Sequence, residues 1–238
     1  MTADSVLATL REHASAETLA QMGPRYGIHT ASALGVPMAA MKRVARDLGR
    51  DHALASELWS TGVYEARTVA ALVDEPALVT VGQIDGWCAD FDNWAICDTV
   101  CFSLFDRAPD AWSRLEPWAC DERELVRRAS FALLWSLALH DRSADDARFV
   151  AGLELVEQYA ADERPLVTKS MSMSLRAIRR RSPALEDAVR ATAERLAEAD
   201  SGPERRVGRR ILPAGAAVPR QTGAGVGDPH PGRHRSSG

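Results

Sequence analysis

The chain has 238 residues, of which 46% are hydrophobic, and it carries a formal net charge of −4. A chain of this length can bury the core of one large domain. No apolar run approaches the roughly 20 residues that a membrane-spanning helix needs, so we expect no membrane segment. The first residues lack the basic and apolar regions of a secretory signal, which predicts a cytoplasmic protein.

Charge is unevenly distributed along the chain. Seven of the 29 Lys and Arg residues and two of the 33 acidic residues lie after position 200, which leaves residues 1–200 with a net charge of −9. Phosphate contacts need Lys and Arg, so such a body is a poor non-specific nucleic-acid binder unless its cations share one face. The cations that would have to do so are Lys42, Arg43, Arg46, Arg128, Lys169 and Arg176.

The four cysteines indicate thiols rather than a metal site. They form no CxxC pair and have no His nearby in sequence. Cys97 and Cys101 share a helical face, which favours buried, reduced side chains. The sequence also contains no Walker loop, dinucleotide fingerprint, HExxH motif or nucleophilic serine motif. We therefore expect no cofactor and no metal.

Apolar residues recur at helical spacing along nearly the whole chain. A first helix is predicted over residues 3–21, and Gly23 and Pro24 are expected to end it. The next begins near Met38 and ends at Gly49. Further helices are predicted over residues 51–59 and 64–73, around Trp87, and over residues 94–105, 108–118, about 122–140, 144–161, 166–181 and 183–199.

The pattern of these helices predicts the fold. No segment shows the period-two alternation of a strand, and short helices joined by linkers of roughly two to six residues are typical of an α-solenoid of helix pairs. A basic residue followed by a small one opens an apolar run at Arg67, Arg128 and Lys169, and the last two are about 41 residues apart, as in HEAT-like repeats. We predict an all-α fold with one repeat domain over residues 1–200. Residues 201–238, rich in Gly, Pro and Arg, are predicted to be a disordered tail whose arginines either contact a polyanion or stay solvated.

One pair of residues indicates chemistry. Trp94 and Asp98 lie four residues apart in an otherwise apolar segment, so they share one face of a helix. An indole against a substrate, with a carboxylate one turn behind it, can stabilise a developing positive charge. The alternative is a core tryptophan with Asp98 as a paired or solvent-facing acid.

Four segments together resemble one family. They are residues 58–67 (LWSTGVYEAR), 92–98 (DNWAICD), 126–129 (VRRA) and 167–170 (VTKS). In this order and spacing they look like the AlkD-type alkylpurine DNA glycosylases, whose fold is a HEAT-like α-solenoid. The resemblance covers about residues 19–199. It implies a monomeric enzyme without metal or cofactor that binds duplex DNA and excises purines alkylated at N3 or N7.

The resemblance also implies roles for individual residues. Trp94 and Asp98 match the lesion site, Arg128 matches an inner-helix arginine expected to anchor a phosphate, and Tyr26 matches a segment near the DNA. Lys169 matches a lysine expected to contact phosphate. A second tryptophan of the family pattern falls at Met173, which has no aromatic face, so one half of an aromatic clamp is missing.

Purely structural alternatives remain for these positions. Arg128 could form an ion pair with Glu124 one turn earlier, and Lys169 could be solvated. The remaining aromatic residues are expected to be packing, above all Trp59, Phe102, Phe131 and Trp135. Three functions stay open: a glycosylase, a DNA-binding family member that does not excise bases, and a protein-interaction scaffold.

Overall fold

The computed structural model describes residues 1–213. This part of the chain forms thirteen α-helices and three short 3-10 helices, and it contains no strand. The all-α prediction is confirmed. The helices are α1 (Ala3–Glu12), α2 (Ala16–Tyr26), α3 (Met38–Leu48), α4 (His52–Ser60), α5 (Tyr64–Val73), α6 (Val81–Ala89), α7 (Trp94–Ser103), α8 (Leu115–Cys120), α9 (Glu124–His140), α10 (Asp146–Tyr159), α11 (Pro165–Ile178), α12 (Pro183–Glu198) and α13 (Gly202–Arg209).

The first predicted helix is in fact two. α1 ends near His13, and α2 begins after Ser15, whose hydroxyl accepts a hydrogen bond from the Thr18 N–H as an N-cap. The backbone of Ser15 is also tied to the distant Gly35 carbonyl at 3.0 Å, a contact that local periodicity cannot reveal. Pro24 lies inside α2 and does not end it. The helix ends at Gly27 instead, which adopts a left-handed conformation (φ 62°) that favours glycine.

Alternate helices form a continuous inner row. α3 packs on α5, α5 on α7, α7 on α9 and α9 on α11, while α4 and α8 pack as outer partners of α5 and α9. Side-by-side packing of successive helix pairs is the arrangement of an α-solenoid, as predicted. The row presents side chains from helices that are far apart in sequence on one surface.

Equivalent arginines join successive repeats. Nε of Arg67 donates to the carbonyl of Trp59 at 3.3 Å, and Nε of Arg127 donates to the carbonyl of Ala119 at 2.9 Å, each eight residues earlier. The structural equivalent of Arg67 is therefore Arg127, and the predicted equivalence with Arg128 is wrong by one residue. That shift of one position turns Arg128 to a different face of α9.

A buried glutamate anchors the long connection between α2 and α3. Glu65, near the start of α5, is fully buried and accepts hydrogen bonds from the N–H groups of Leu34, Gly35 and Val36 at 2.9, 2.8 and 3.2 Å. Gly35 has φ 81°, and a Cβ there would lie 2.6 Å from the carbonyl oxygen of Ser15. The connection is thus held closely against both α2 and α5.

The core is aromatic at its centre and contains reduced thiols. The indoles of Trp59 and Trp87 stack with ring centroids 4.0 Å apart, and both are buried, as is Phe131. Cys97 and Cys101 are buried free thiols, as predicted. By contrast, Phe102 and Trp135 are only half-buried against this core, which departs from the expectation of simple packing.

The C-terminal helix corrects the predicted domain boundary. Residues 202–209 form α13 instead of disordered chain, and Val207 and Ile211 are buried. Gly208 permits this close docking, because a Cβ at that position would lie 2.5 Å from the carbonyl oxygen of Ala193 on α12. The composition is polar, but its few apolar residues fall on one face. The rest of the predicted tail, residues 214–238, lies outside the described residues.

Candidate functional site

An ion pair between two inner-row helices lies at the centre of the site. Asp98 is on α7 and Arg128 is on α9. Nε of Arg128 donates to Oδ1 of Asp98 at 3.0 Å, and Nη2 lies 2.8 and 2.6 Å from Oδ1 and Oδ2. Nη1 donates to the carbonyl of Leu166 at 2.7 Å. The Arg128 side chain is 2% exposed and that of Asp98 is 19% exposed, so the carboxylate is fixed while part of it reaches solvent.

This geometry revises the role of Arg128. The alternative ion pair with Glu124 is wrong, because the partner of Arg128 is Asp98. A phosphate anchor needs an accessible guanidinium, and Arg128 is buried with its donors already used by Asp98 and Leu166. We therefore assign Arg128 the task of positioning Asp98. Bidentate pairing with a planar guanidinium suits that task, since it fixes both carboxylate oxygens.

Trp94 lies beside this pair at the N-terminus of α7. Its indole N–H donates to the carbonyls of Tyr26 and Gly27 at 3.1 and 3.2 Å. The Nζ of Lys169 lies 5.7 Å from the ring centroid and the guanidinium carbon of Arg128 lies 5.8 Å from it, both within cation–π range. The indole is half-buried, and its hydrogen bonds to the two carbonyls fix its orientation.

The end of α2 explains how Tyr26 takes part in the site. Gly27 allows the chain to turn after α2, and the turn directs the carbonyls of Tyr26 and Gly27 toward Trp94. The Tyr26 side chain is 47% exposed and lies against Arg25. The structure thus brings Tyr26 to the site through its backbone, and its phenol stands at the surface beside it.

Lys169 and Met173 bring α11 to the same surface. Lys169 is exposed and Met173, one turn later, is half-buried. The Met173 sulfur lies 3.8 Å from Nη1 of Arg176. Trp94, Asp98, Arg128, Tyr26 and Lys169 thus come together across α2, α7, α9 and α11, and Met173 flanks them on α11.

The environment of Asp98 acts on its pKa in two directions. Burial raises the pKa of the Asp98 carboxyl, and this effect outweighs the opposing charge and hydrogen bonds of Arg128 and the charge of Lys169. The Asp98 carboxyl is thus largely desolvated but still partly exposed. A charge in such a place interacts with a ligand more strongly than one in water.

A groove beside Asp98 was missed at the level of sequence. It has a volume of about 280 Å³ and continues from Asp98 past the half-buried rings of Phe102 and Trp135 to Lys42 on α3. The two rings meet edge to face with centroids 4.5 Å apart. Helical spacing was the available signal, because Phe102 follows Asp98 by four residues and Trp135 follows Arg128 by seven. The groove is lined by Met38, Lys42, Leu72, Asp98, Thr99, Phe102, Ser103 and Trp135.

Comparison with known families decides the relationship of this protein. The model of the family described as "DNA alkylation repair enzyme" matches residues 6–199. The chain belongs to the DNA alkylation repair family. The match contains α2, α7, α9 and α11, and therefore the whole cluster around Asp98. α13 lies beyond it.

A solved structure shares the fold of this DNA alkylation repair family member. It is described as "a new family of proteins related to the HEAT-like repeat DNA glycosylases with affinity for branched DNA structures". The two structures superpose with a TM-score of 0.72 and 19% sequence identity, over 89% of this chain and 94% of the other. The HEAT-like architecture is thereby confirmed. No curated protein matches the chain. None of the helices in residues 1–213 is long and apolar enough to cross a membrane.

Proposed function

We propose that this member of the DNA alkylation repair family binds duplex DNA and excises purines alkylated at N3 or N7 by hydrolysis of the N-glycosidic bond. One observation carries the proposal: a carboxylate, Asp98, is held rigidly and in part exposed beside an oriented indole, Trp94. The family supplies the context of DNA alkylation repair, and the site supplies the chemistry.

The chemistry needs little more than these groups. A purine alkylated at N3 or N7 already carries a positive charge, so it can leave without a general acid. The transition state then has positive charge on the deoxyribose, as in other glycosyl transfers. A fixed carboxylate such as Asp98 stabilises that charge and can orient the attacking water. Trp94 would lie against the cationic sugar or base through its ring face, for about 0.5–2 kcal/mol.

The surrounding residues have supporting tasks in this proposal. Arg128 fixes the orientation of Asp98, so no reorganisation of the carboxylate is needed during reaction. Lys169 is an exposed cation beside Trp94 and would contact a phosphate next to the lesion. The aromatic groove at Phe102 and Trp135 would accept apolar parts of the alkylated nucleotide.

A second candidate is a family member that binds DNA without excising bases. Met173 favours it, because the second tryptophan expected at this position is absent. The solved structure with the same fold is described by its affinity for branched DNA, which also accords with binding alone. The second candidate shares every contact with phosphate and differs only in the absence of turnover.

The test is release of 7-methylguanine and 3-methyladenine from methylated duplex DNA. We expect release by the intact protein and at least about a hundredfold slower release by Asp98→Asn, because a neutral amide cannot stabilise the cationic sugar. Asp110→Asn is the matched control, since Asp110 is exposed and its carboxylate accepts no hydrogen bond within residues 1–213. Circular dichroism establishes that each variant is folded.

Met173→Trp separates the two candidates. It restores an aromatic face one turn after Lys169, so a protein with weak release should become faster, while DNA affinity changes little. Release by neither form, with DNA binding retained, would establish the non-excising candidate. Neither release nor binding would leave the protein-interaction scaffold.

A further inference from the structure

A basic surface lies at the C-terminal end of α11. Here the side chains of five arginines surround a cleft of about 620 Å³, with Glu186 as its one acid. We call this surface the arginine cleft. It is lined by Arg176, Arg179, Arg180, Arg181, Ser182, Pro183, Glu186, Arg210 and Ile211.

The arginines of the cleft differ in what they already bind. Arg181 is structural, because it donates to the carbonyls of Ala138 and Ala144 at 3.0 and 3.2 Å. Arg179 forms a long, exposed ion pair with Glu186 at 3.4 Å. Within residues 1–213, the guanidinium groups of Arg180 and Arg210 form no hydrogen bond or ion pair, and both residues are exposed.

This excess of positive charge favours the binding of an anion in the cleft. Like charges gathered in one cleft repel each other, and the single carboxylate of Glu186 offsets only part of that charge. Guanidinium groups match phosphate oxygens with paired hydrogen bonds, so a phosphate is the anion best suited to this cleft. α12 adds to the positive potential, because its N-terminus opens into the cleft at Ser182 and Pro183.

The arginine cleft lies further along α11 from Lys169, which borders the site at Asp98. Lys169, Met173, Arg176 and Arg180 follow one another at intervals of four, three and four residues, so they lie along one face at α11 and the turn after it. From Lys169 to Arg176 the helix rises about 10 Å, which corresponds to about three base pairs of duplex DNA. A backbone that passes Lys169 therefore arrives at the cleft after a few nucleotides.

We propose that the arginine cleft binds the phosphodiester backbone of the DNA arm that leaves the site past Lys169. The proposal rests on the proposed function in one respect, that DNA lies at Lys169. Arg180 and Arg210 are the principal phosphate contacts, and Arg176 joins them to the site. Arg210 follows α13, outside the family match of residues 6–199, so the cleft extends the DNA-binding surface with a helix that the family model does not cover.

The experiment compares salt-dependent DNA binding of two double variants. Arg180→Ser/Arg210→Ser removes the two guanidinium groups that have no partner within residues 1–213. Arg11→Ser/Arg142→Ser is the matched control, since it removes the same charge from two exposed arginines outside the cleft. Binding to a fluorescent duplex of about 30 base pairs is followed by anisotropy at several salt concentrations, and a duplex of about 10 base pairs is the short comparison.

We expect the cleft variant to lose about two from the slope of log affinity against log salt, and about tenfold in affinity for the long duplex near 0.1 M salt. The control variant should keep the slope of the intact protein. The loss of affinity in the cleft variant should be smaller for the short duplex, which brings fewer phosphates to the cleft, and the control variant should bind both duplexes as the intact protein does. These results would establish the cleft as a contact for the DNA arm.

Two results would overturn the proposal. An unchanged slope in the cleft variant, when the intact protein binds DNA, would show that the cleft does not contact the backbone and would leave the proposed function standing. Inorganic phosphate at constant ionic strength is the second probe. If it binds the intact protein and not the cleft variant, yet leaves the affinity for the long duplex unchanged, the cleft is a site for a small anion. Absence of any DNA binding by the intact protein would instead defeat the proposed function, and this proposal with it.

Discussion

Arg127 and Arg128 are neighbours in sequence, yet their guanidinium groups belong to two different regions. Arg127 lies at a junction between repeats, where Nη1 donates to Asp162 at 2.7 Å. Arg128 lies at the candidate site, where it holds Asp98. Both arginines pair with an aspartate. The two regions therefore contain the same type of ion pair in different surroundings.

The two aspartates differ in how completely they are bound. Burial raises the pKa of the Asp162 carboxyl, but hydrogen bonds from Arg164 and Arg127 outweigh it and lower the pKa to about 2. For Asp98 burial outweighs the effect of Arg128, and the pKa is raised. The Asp162 side chain is 3% exposed and that of Asp98 is 19% exposed. A carboxylate saturated by two arginines holds repeats together, whereas one held by a single arginine beside a groove keeps capacity for a ligand.

The largest effect is expected from Arg128→Ala. It leaves Asp98 without its partner in a largely buried position, which should lower the free energy of unfolding by about 3 kcal/mol. Urea denaturation measures this loss. Arg128→Lys is the control that keeps the charge, and we expect it to recover part of the stability but not the fixed orientation of Asp98. A loss below about 1 kcal/mol in Arg128→Ala would contradict the importance of this pair.

Asp162→Asn should separate stability from activity. It weakens the contacts with Arg127 and Arg164, so we expect the unfolding free energy to fall by about 2 kcal/mol. Release of methylated bases by the folded variant should match the intact protein, in contrast to Asp98→Asn. If folded Asp162→Asn and Asp98→Asn slowed release equally, the assignment of Asp162 to stability and of Asp98 to activity would be wrong.

The pH dependence of stability should have opposite signs at the two aspartates. The pKa of Asp162 is about 2 in the folded protein, below the value of about 3.9 in an unfolded chain. Its contribution to stability is therefore present above about pH 4 and is lost as the pH falls toward 2. The pKa of Asp98 is raised, so its contribution is present below the unfolded value and is lost as the pH rises through the folded value.

Urea denaturation of the intact protein and of Asp162→Asn between pH 2 and pH 6 measures the contribution of Asp162. The difference between the intact protein and Asp162→Asn should shrink toward acid. A difference that grows toward acid would mean that the contacts of Arg127 and Arg164 do not favour the ionised form of Asp162.

Trp94→Phe should have the smallest effect on stability. It removes the indole N–H that donates to the carbonyls of Tyr26 and Gly27, at a cost of about 1 kcal/mol. Release of methylated bases should fall more steeply than stability, because the ring is no longer fixed in place. Thermal unfolding and the release assay together provide the comparison. Equal release by Trp94→Phe and the intact protein would exclude a role for the oriented indole.

Local signals in the sequence predicted most helices well. α5 was expected at residues 64–73 and occupies Tyr64–Val73, and Gly49 ends α3 as predicted. Such signals depend only on neighbouring residues. The break between α1 and α2 was missed because the tie between Ser15 and Gly35 joins distant segments. α13 was not predicted because it has few apolar residues. Their role in the core is evident only from how the helix packs on α12.

The sequence predicted only those features of the candidate site whose residues lie on the same helix. Trp94 and Asp98 followed from their spacing on one helix, since four residues make about one turn. The pairing of Asp98 with Arg128 spans 30 residues and depends on how α7 packs on α9. The groove at Phe102 and Trp135 depends on the same packing. Arg127 and Arg128 are adjacent but lie on different faces of α9. An error of one residue in aligning the repeats therefore assigns a side chain to the wrong face.

The close docking of Gly208 against α12 has a consequence for how the protein can be shortened. A solenoid exposes an apolar face wherever its stack of helices stops, and a terminal element must cover that face. α13 does so here, with Val207 and Ile211 buried. A protein cut at residue 199, where the family match ends, would uncover α12 around Ala193 and Leu196 and should self-associate or precipitate during purification.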